Sequence, residues 1–127
     1  MKNFVEQPPL YHSTPEDMTV AISSLSLGGA EKIVVDWLSR IYPKWRPHLI
    51  VLRDRQEEWP LPDHVRITRL HGKNMLQQLR VLGGEVANSR NPVCVCHLLN
   101  KDERSALSRT GAKIISVIHN AKSGWLE

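Results

Sequence analysis

The chain has 127 residues, of which 41% are hydrophobic and 24% charged, and this composition suits one globular domain with an ordinary core. Its net charge of +4 comes from lysines and arginines scattered along the sequence, so nucleic-acid binding is the least favoured class. The chain lacks an apolar run of the roughly 20 residues that would cross a bilayer, an apolar signal core and a disulfide framework, which predicts a cytoplasmic protein.

Residues 1–17 contain three prolines and little periodicity, which predicts an arm that lies on the surface or is partly disordered, ahead of a folded domain over 18–127. Five apolar runs predict strands, at 18–25, 47–53, 65–70, 92–98 and 112–120. Helical periodicity predicts three helices, at 30–42, 73–88 and 101–109. The pair Gly83-Gly84 weakens the second helix, and we expect that helix to end or bend there.

The alternation of strands and helices predicts an α/β fold, with a doubly wound, mostly parallel sheet of about five strands and a Rossmann-like topology. The second strand is continuously apolar, as an interior strand would be. The third alternates apolar and polar residues, as a strand near an edge would. A strand order of 3-2-1-4-5 would make the first and fourth strands neighbours at the reversal of the sheet.

The most informative segment runs from Ser24 to Glu31, because it joins the first strand to the first helix through Gly28-Gly29. Glycines allow a ligand to approach the backbone, and a helix N-terminus offers free N–H groups and a positive dipole end. A tight turn with no ligand explains the glycines equally well. The spacing matches neither the dinucleotide-binding fingerprint nor the P-loop. Glu31 in the first helical turn is explained as well by the helix dipole as by function.

Polar residues also end two later strands. His97 closes the fourth, and His119 and Asn120 close the fifth. Because the carboxyl ends of parallel strands meet at one edge, we expect these residues to line one rim with the Gly-Gly loop. A satisfied polar residue at a strand end remains the alternative for each histidine. Cys94 and Cys96 share a strand face opposite His97, which favours buried core cysteines over a metal site.

The segment Leu27–Leu38, which reads Leu-Gly-Gly-Ala-Glu-Lys-Ile-Val-Val-Asp-Trp-Leu, resembles the Gly-Gly-Ala-Glu loop and first helix of GT-B glycosyltransferases. The similar group is the retaining, family 4-like enzymes that use nucleotide-sugar donors. Leu49–Leu52 and Val65–Ile67 resemble their second and third strands, and Val117–His119 resembles their strand that ends in histidine. The resemblance covers about residues 18–120.

The resemblance implies transfer of a sugar from a nucleotide diphosphate to a hydroxyl acceptor with retention, without a metal or other cofactor beyond the donor. It implies that His119 is the catalytic residue near the transferred sugar. The substrate-binding residues that it implies are Gly28, Gly29, Glu31, His97 and Asn120. The glycines would admit the donor's diphosphate and the acceptor, Glu31 would fix the loop, and His97 would line the acceptor cleft.

These enzymes carry a second Rossmann-like domain with an acidic pair, and the sequence contains none. We therefore expect a truncated half of a GT-B fold that is inactive alone, lacks a C-terminal partner domain and can self-associate. The acceptors expected by resemblance include sugars, lipid-linked acceptors and cell-envelope polysaccharide. For such acceptors, Lys44, Trp45 and Arg46 are candidates for peripheral contact with the inner face of a membrane, although a solvated loop with one buried tryptophan is the favoured explanation of this segment. The alternative is a non-enzymatic module that binds a ligand or a protein on the same scaffold.

Overall fold

Five strands and three helices alternate along residues 16–119, the part of the chain that the computed structural model describes. The strands are β1 (Glu16–Ile22), β2 (Trp45–Val51), β3 (Arg66–Arg69), β4 (Val93–His97) and β5 (Lys113–Val117). The helices are α1 (Gly29–Ile41), α2 (Met75–Ala87) and α3 (Lys101–Ser108).

All strand pairs are parallel, and the sheet order is β3-β2-β1-β4-β5. The predicted α/β class, the doubly wound sheet and the order 3-2-1-4-5 are confirmed. The continuously apolar β2 is an interior strand and the alternating β3 is an edge strand, as their patterns predict. Ile22 at the end of β1 pairs with Val51 on one side and His97 on the other, so β1, β2 and β4 end at one level.

The sheet separates two cores, because alternate residues of each strand point to opposite faces. On one face α1 packs on the apolar side chains of the central strands, a cluster that contains Val20, Ile22, Val34, Leu38, Leu49, Val51 and Val95. On the other face α2 and α3 pack together, over a cluster that contains Ala21, Ile50, Leu79, Cys94, Cys96 and Leu107. The two cysteines are buried free thiols in this second core, as predicted.

The limits of β1 differ from those predicted, since it begins two residues earlier and ends three residues earlier. The N–H of Glu16 donates to the carbonyl of Lys44 (3.1 Å), so the predicted arm ends before this residue. Leu25 is buried although it lies in the loop after β1, and its carbonyl accepts the N–H of Trp59 (2.9 Å). The apolar run therefore reflects burial beyond the strand, and periodicity alone does not distinguish the two.

α2 does not end at Gly83-Gly84, as the sequence allowed, because the helix runs on to Ala87. A Cβ atom on Gly83 would lie 2.8 Å from Thr110 and 3.2 Å from Leu107. The glycine thus lets α2 approach α3 and the turn after it, and this packing offsets its low helix propensity. None of the helices over residues 16–119 combines the length and apolar character needed to cross a membrane.

Candidate functional site

The segments that follow β1, β4 and β5 meet at the carboxyl edge of the sheet. The Gly-Gly turn follows β1, His97 is the last residue of β4, and His119 lies two residues past β5. The reversal of strand order falls between β1 and β4, which is where open α/β sheets form their ligand crevice. The strand order therefore gives the segments that carry the predicted site residues one common edge.

The turn between β1 and α1 is held in place by Trp59. Gly28 is the N-cap of α1, with extended backbone, and its N–H donates to the carbonyl of Ser26 (2.7 Å). The Trp59 indole Nε1 donates to the carbonyl of Gly28 (2.9 Å), and the Trp59 backbone N–H donates to that of Leu25 (2.9 Å). The loop over residues 54–63 thus fixes the turn at two carbonyls, a support that the sequence pattern does not reveal.

The carboxylate of Glu31 folds back over the first turn of α1. Ser26 Oγ donates to Glu31 Oε2 (2.9 Å), and a Cβ atom on Gly28 would overlap Glu31 Oε1. A Cβ atom on Gly29 would meet no heavy atom within 4 Å. The first glycine therefore makes room for the carboxylate, and the second leaves open surface. The carboxylate charge offsets the positive end of the helix dipole, so this turn favours a neutral hydroxyl over a diphosphate.

His97 and His119 form a hydrogen-bonded pair, with 2.9 Å between Nδ1 of His97 and Nε2 of His119. The His97 side chain is buried, and its ring centroid lies 5.4 Å from that of Trp37 in α1. Its Nε2 atom has no hydrogen-bond partner among residues 16–119. Burial, and then the nearby His119, lower the pKa of His97 to about 4. The His97 ring is therefore neutral at physiological pH, and the pair shares one proton between its facing nitrogens.

A cavity of about 410 Å³ opens beside this pair, between α1 and β5. We call it the α1–β5 cavity, and its lining residues are Ile33, Val34, Asp36, Trp37, Arg40, His97, Val117 and His119. The turn residues Gly28, Gly29 and Glu31 do not line it. Trp37 lies eight residues beyond Gly29 in α1, which is about 12 Å along a helix.

The structure therefore brings His97 and His119 together but places them beside the middle of α1 rather than at its N-terminus. The single rim expected from the sequence is two adjoining places on one edge, the turn at the start of α1 and the histidine pair beside it. The remaining predicted substrate-binding residue, Asn120, lies outside the described residues.

A buried ion pair at the same edge escaped the sequence reasoning. Arg53, which follows β2, binds the carboxylate of Glu103 in α3 and donates from its other nitrogen to Ser23 Oγ (3.0 Å). The Glu103 side chain is 2% exposed, whereas that of Arg53 is 34% exposed. Glu103 also accepts the N–H of Asn100 (2.9 Å), which caps α3 in return. The Asn100-x-x-Glu103 spacing can be recognised in the sequence as a capping box. The sequence does not indicate that Arg53, fifty residues away, binds Glu103.

The backbone is strained immediately after His97. Leu98 has a φ of +64°, in the left-handed region that residues with a Cβ atom rarely occupy. Such strain costs on the order of 1 kcal/mol or more and concentrates at functional segments. Leu98 is the first residue after β4, between the buried imidazole of His97 and the capped start of α3.

Among residues 16–119, no group of three or more histidine, cysteine or acidic side chains is arranged to hold a metal ion. The Sγ atoms of Cys94 and Cys96 lie 4.0 Å apart. The hydrogen bond to Cys96, and then burial, raise the pKa of Cys94 far above its ordinary value. The Cys94 thiol is therefore un-ionised at neutral pH, which makes it a poor nucleophile and metal ligand.

No known family model matches the sequence, and no curated protein resembles it closely enough to be counted as a relative.

Proposed function

We propose that this chain is the acceptor-side domain of a retaining glycosyltransferase that uses a nucleotide-sugar donor. The observation that carries the proposal is the position of the Gly-Gly-Ala-Glu turn, directly after the central strand of a parallel 3-2-1-4-5 sheet. The buried His97 and its partner His119 follow strands at the same edge. This is the edge at which doubly wound sheets bind ligands.

The carboxylate of Glu31 supports an acceptor role for the turn. It lies at the start of α1, held by Ser26, beside the open surface of Gly29. A carboxylate accepts hydrogen bonds from sugar hydroxyls, whereas it repels the phosphates of a donor. In the proposed enzyme the diphosphate therefore binds to a second domain, and this chain holds the hydroxyl that attacks the sugar.

His119 is the proposed catalytic residue, in the sense of a group that contacts the transferred sugar. Its Nε2 atom is held by His97 at 2.9 Å, and the tilted ring of His97 is packed near Trp37. A side chain fixed in this way can orient a sugar hydroxyl with little loss of conformational entropy on binding. The remaining roles follow the resemblance: Gly28 and Gly29 admit the substrate, and Asn120 adds a polar contact.

A non-enzymatic binding module is the second candidate, and the α1–β5 cavity favours it. The cavity walls are largely apolar and exclude the Gly-Gly turn, so a ligand can bind there without any transfer chemistry. The site of action proposed for the enzyme is the cytoplasm, with peripheral contact at the inner membrane face for lipid-linked acceptors. A non-enzymatic binding module does not require contact with a membrane.

A titration separates these two functions. With a panel of nucleotide sugars, calorimetry on this chain alone should show no micromolar affinity and no release of nucleoside diphosphate, because the donor side is supplied by another domain. Together with that domain, in the natural gene product, nucleoside diphosphate should be released only when an acceptor is present. Micromolar donor binding by the chain alone, or no release from the gene product with any donor, would overturn the proposal.

A further inference from the structure

We propose that the α1–β5 cavity binds a planar ring that carries a single hydroxyl group, a ligand of the phenol class, with its hydroxyl on the His97–His119 pair. The cavity volume of about 410 Å³ lies within the roughly 300–1,000 Å³ of small-molecule sites. Five of its eight lining residues belong to α1, and His97, Val117 and His119 complete it.

The walls supply apolar and aromatic contacts. Val34 is fully buried, whereas Ile33 on α1 is 59% exposed and Val117 on β5 is 37% exposed. Trp37 also lines the cavity, and its ring centroid lies 5.4 Å from that of His97. Burying an apolar ring against these side chains removes apolar surface from water and so favours binding.

Polar atoms make up a small part of the lining of the cavity. Asp36 is bound by Lys32 through Oδ1 (2.7 Å), and Arg40 is exposed. The histidine pair supplies the other polar side chains of the lining, and Nε2 of His119 is occupied by His97. A free sugar carries several hydroxyls, and each one that is buried without a hydrogen-bond partner weakens binding. A ring with one hydroxyl matches this small set of polar partners.

The histidine pair suits a hydroxyl in either of its tautomers. If His97 donates to His119, the other nitrogen of His119 carries a proton and donates to the ligand oxygen. If His119 donates to His97, that nitrogen is bare and accepts the ligand proton. A hydroxyl can donate or accept, whereas an ether can only accept. Because the pKa of His97 is lowered by burial and by His119, the facing His97 ring adds no charge that would favour an anion.

This binding site is separate from the acceptor position proposed at the Glu31 turn, and it does not depend on the proposed function, since binding needs neither a donor nor a second domain. Phenol binding without any transfer activity would refute the glycosyltransferase and keep the site. Transfer to sugars without phenol binding would refute the phenol site and support the glycosyltransferase.

The test is a titration of the ¹⁵N-labelled chain with phenol, followed by NMR. We expect saturable shifts of the Trp37 indole N–H and of the amides of Ile33 and Val117. Anisole, which has the same ring but no hydroxyl proton, should bind less tightly, and glucose should cause no shifts there. The variant His119→Phe keeps a ring at the half-buried position and removes its hydrogen bonds. It should weaken phenol binding roughly tenfold, the effect of one hydrogen bond.

The matched control is His71→Phe, which changes an exposed histidine outside the cavity and should leave phenol affinity unchanged. Thermal unfolding of both variants would establish that each is folded. The proposal is overturned if phenol causes no saturable shifts at the cavity, or if anisole binds as tightly as phenol. Equal phenol affinity in the wild-type chain and His119→Phe would overturn it as well.

Discussion

At the scale of single residues, the carboxyl edge of the sheet contains two buried ionisable groups, one of which is ion-paired and the other neutral. Glu103 is an ion pair with Arg53 and has all its oxygens engaged. His97 lies in a comparable environment as a neutral ring with one nitrogen unpartnered among residues 16–119. An ionisable group that is buried away from water is either paired with an opposite charge or held in its neutral form. Each of these two states predicts a measurable effect on stability.

The neutral state of His97 predicts a loss of stability on acidification. Its folded pKa is about 4, below the ordinary value of 6.5, so between these pH values the unfolded chain binds a proton that the folded chain does not. The contribution of His97 to the free energy of unfolding is fully present above pH 6.5. It decreases as the pH drops towards 4, by about 3 kcal/mol at most. Urea unfolding across this range measures it.

The variant His97→Phe should show a shallower dependence on pH, while the exposed-site control His71→Phe should keep the wild-type slope. A residual slope remains in His97→Phe because burial, and then Arg66, also lower the pKa of His48. Identical slopes for the wild-type chain and His97→Phe would show that folding does not lower the pKa of His97.

The ion pair of Glu103 predicts a large effect of a single truncation. Glu103→Ala removes the acceptor of the Asn100 N–H, which is one half of the capping box of α3, and leaves Arg53 without its carboxylate, and we expect a loss of about 2–3 kcal/mol. The cost lies below that of a fully buried pair, because Arg53 is 34% exposed. Asp102→Ala, at an exposed position in the same turn, should cost at most about 0.5 kcal/mol in denaturant unfolding. Equal losses from the two variants would contradict a structural role for the pair.

At the scale of elements, the contact of α2 with α3 depends on Gly83, although the low helix propensity of glycine is unfavourable in the middle of a helix. Gly83→Ala should destabilise the chain by about 1 kcal/mol, because its Cβ atom would lie 2.8 Å from Thr110 and overpacking outweighs the gain in helix propensity. Gly84→Ala meets no heavy atom within 4 Å, so it should stabilise by about 0.5–1 kcal/mol. Urea unfolding of both variants is the measurement, and the same sign for both would refute the packing explanation.

The elements were the part of the fold most accessible to sequence reasoning. Apolar periodicity determines strands and helices locally, and the alternation of types with right-handed crossovers limits the strand order. The error at Gly83-Gly84 arose because the contact that favours glycine comes from Leu107 and Thr110, more than twenty residues away. The support of the Gly-Gly turn by Trp59 was missed for the same reason. Pairing between distant loops has no local pattern.

At the scale of the whole molecule, the two edges of the sheet differ in their protection. The β3 edge carries Arg66 and Arg69, and Arg69 binds Asp54 (2.7 Å) and Glu58 (2.9 Å). On β5, Ile115 is 52% exposed. Charged edges resist pairing with other chains, whereas apolar edges promote it.

We therefore expect the chain to self-associate through β5, as the sequence predicts for this protein. Light scattering across a dilution series should show a mass that rises with concentration, and Ile115→Lys should return it to that of a monomer. Ile67→Lys on the opposite edge is the matched control and should leave association unchanged. A concentration-independent monomer for the wild-type chain would contradict this expectation.

The candidate site could be predicted only in part from the sequence. The positions of Gly28, His97 and His119 at strand ends followed from topology, because parallel strands end together. Topology does not predict that these residues divide between a turn and a separate cavity, because that division depends on where each side chain lies along α1. The hydrogen bond between the two histidines and the fold-back of the Glu31 carboxylate are likewise products of packing.

The most direct measurement is a sugar-transfer reaction by the natural gene product, followed by ¹H NMR of the anomeric proton. With its donor and a hydroxyl acceptor, we predict a product with the anomeric configuration of the donor. His119→Ala should reduce the rate by about 10- to 100-fold, and His71→Phe should leave it unchanged. A product of inverted configuration, or an undiminished rate in His119→Ala, would contradict the assignment of this chain to the acceptor side of a retaining glycosyltransferase.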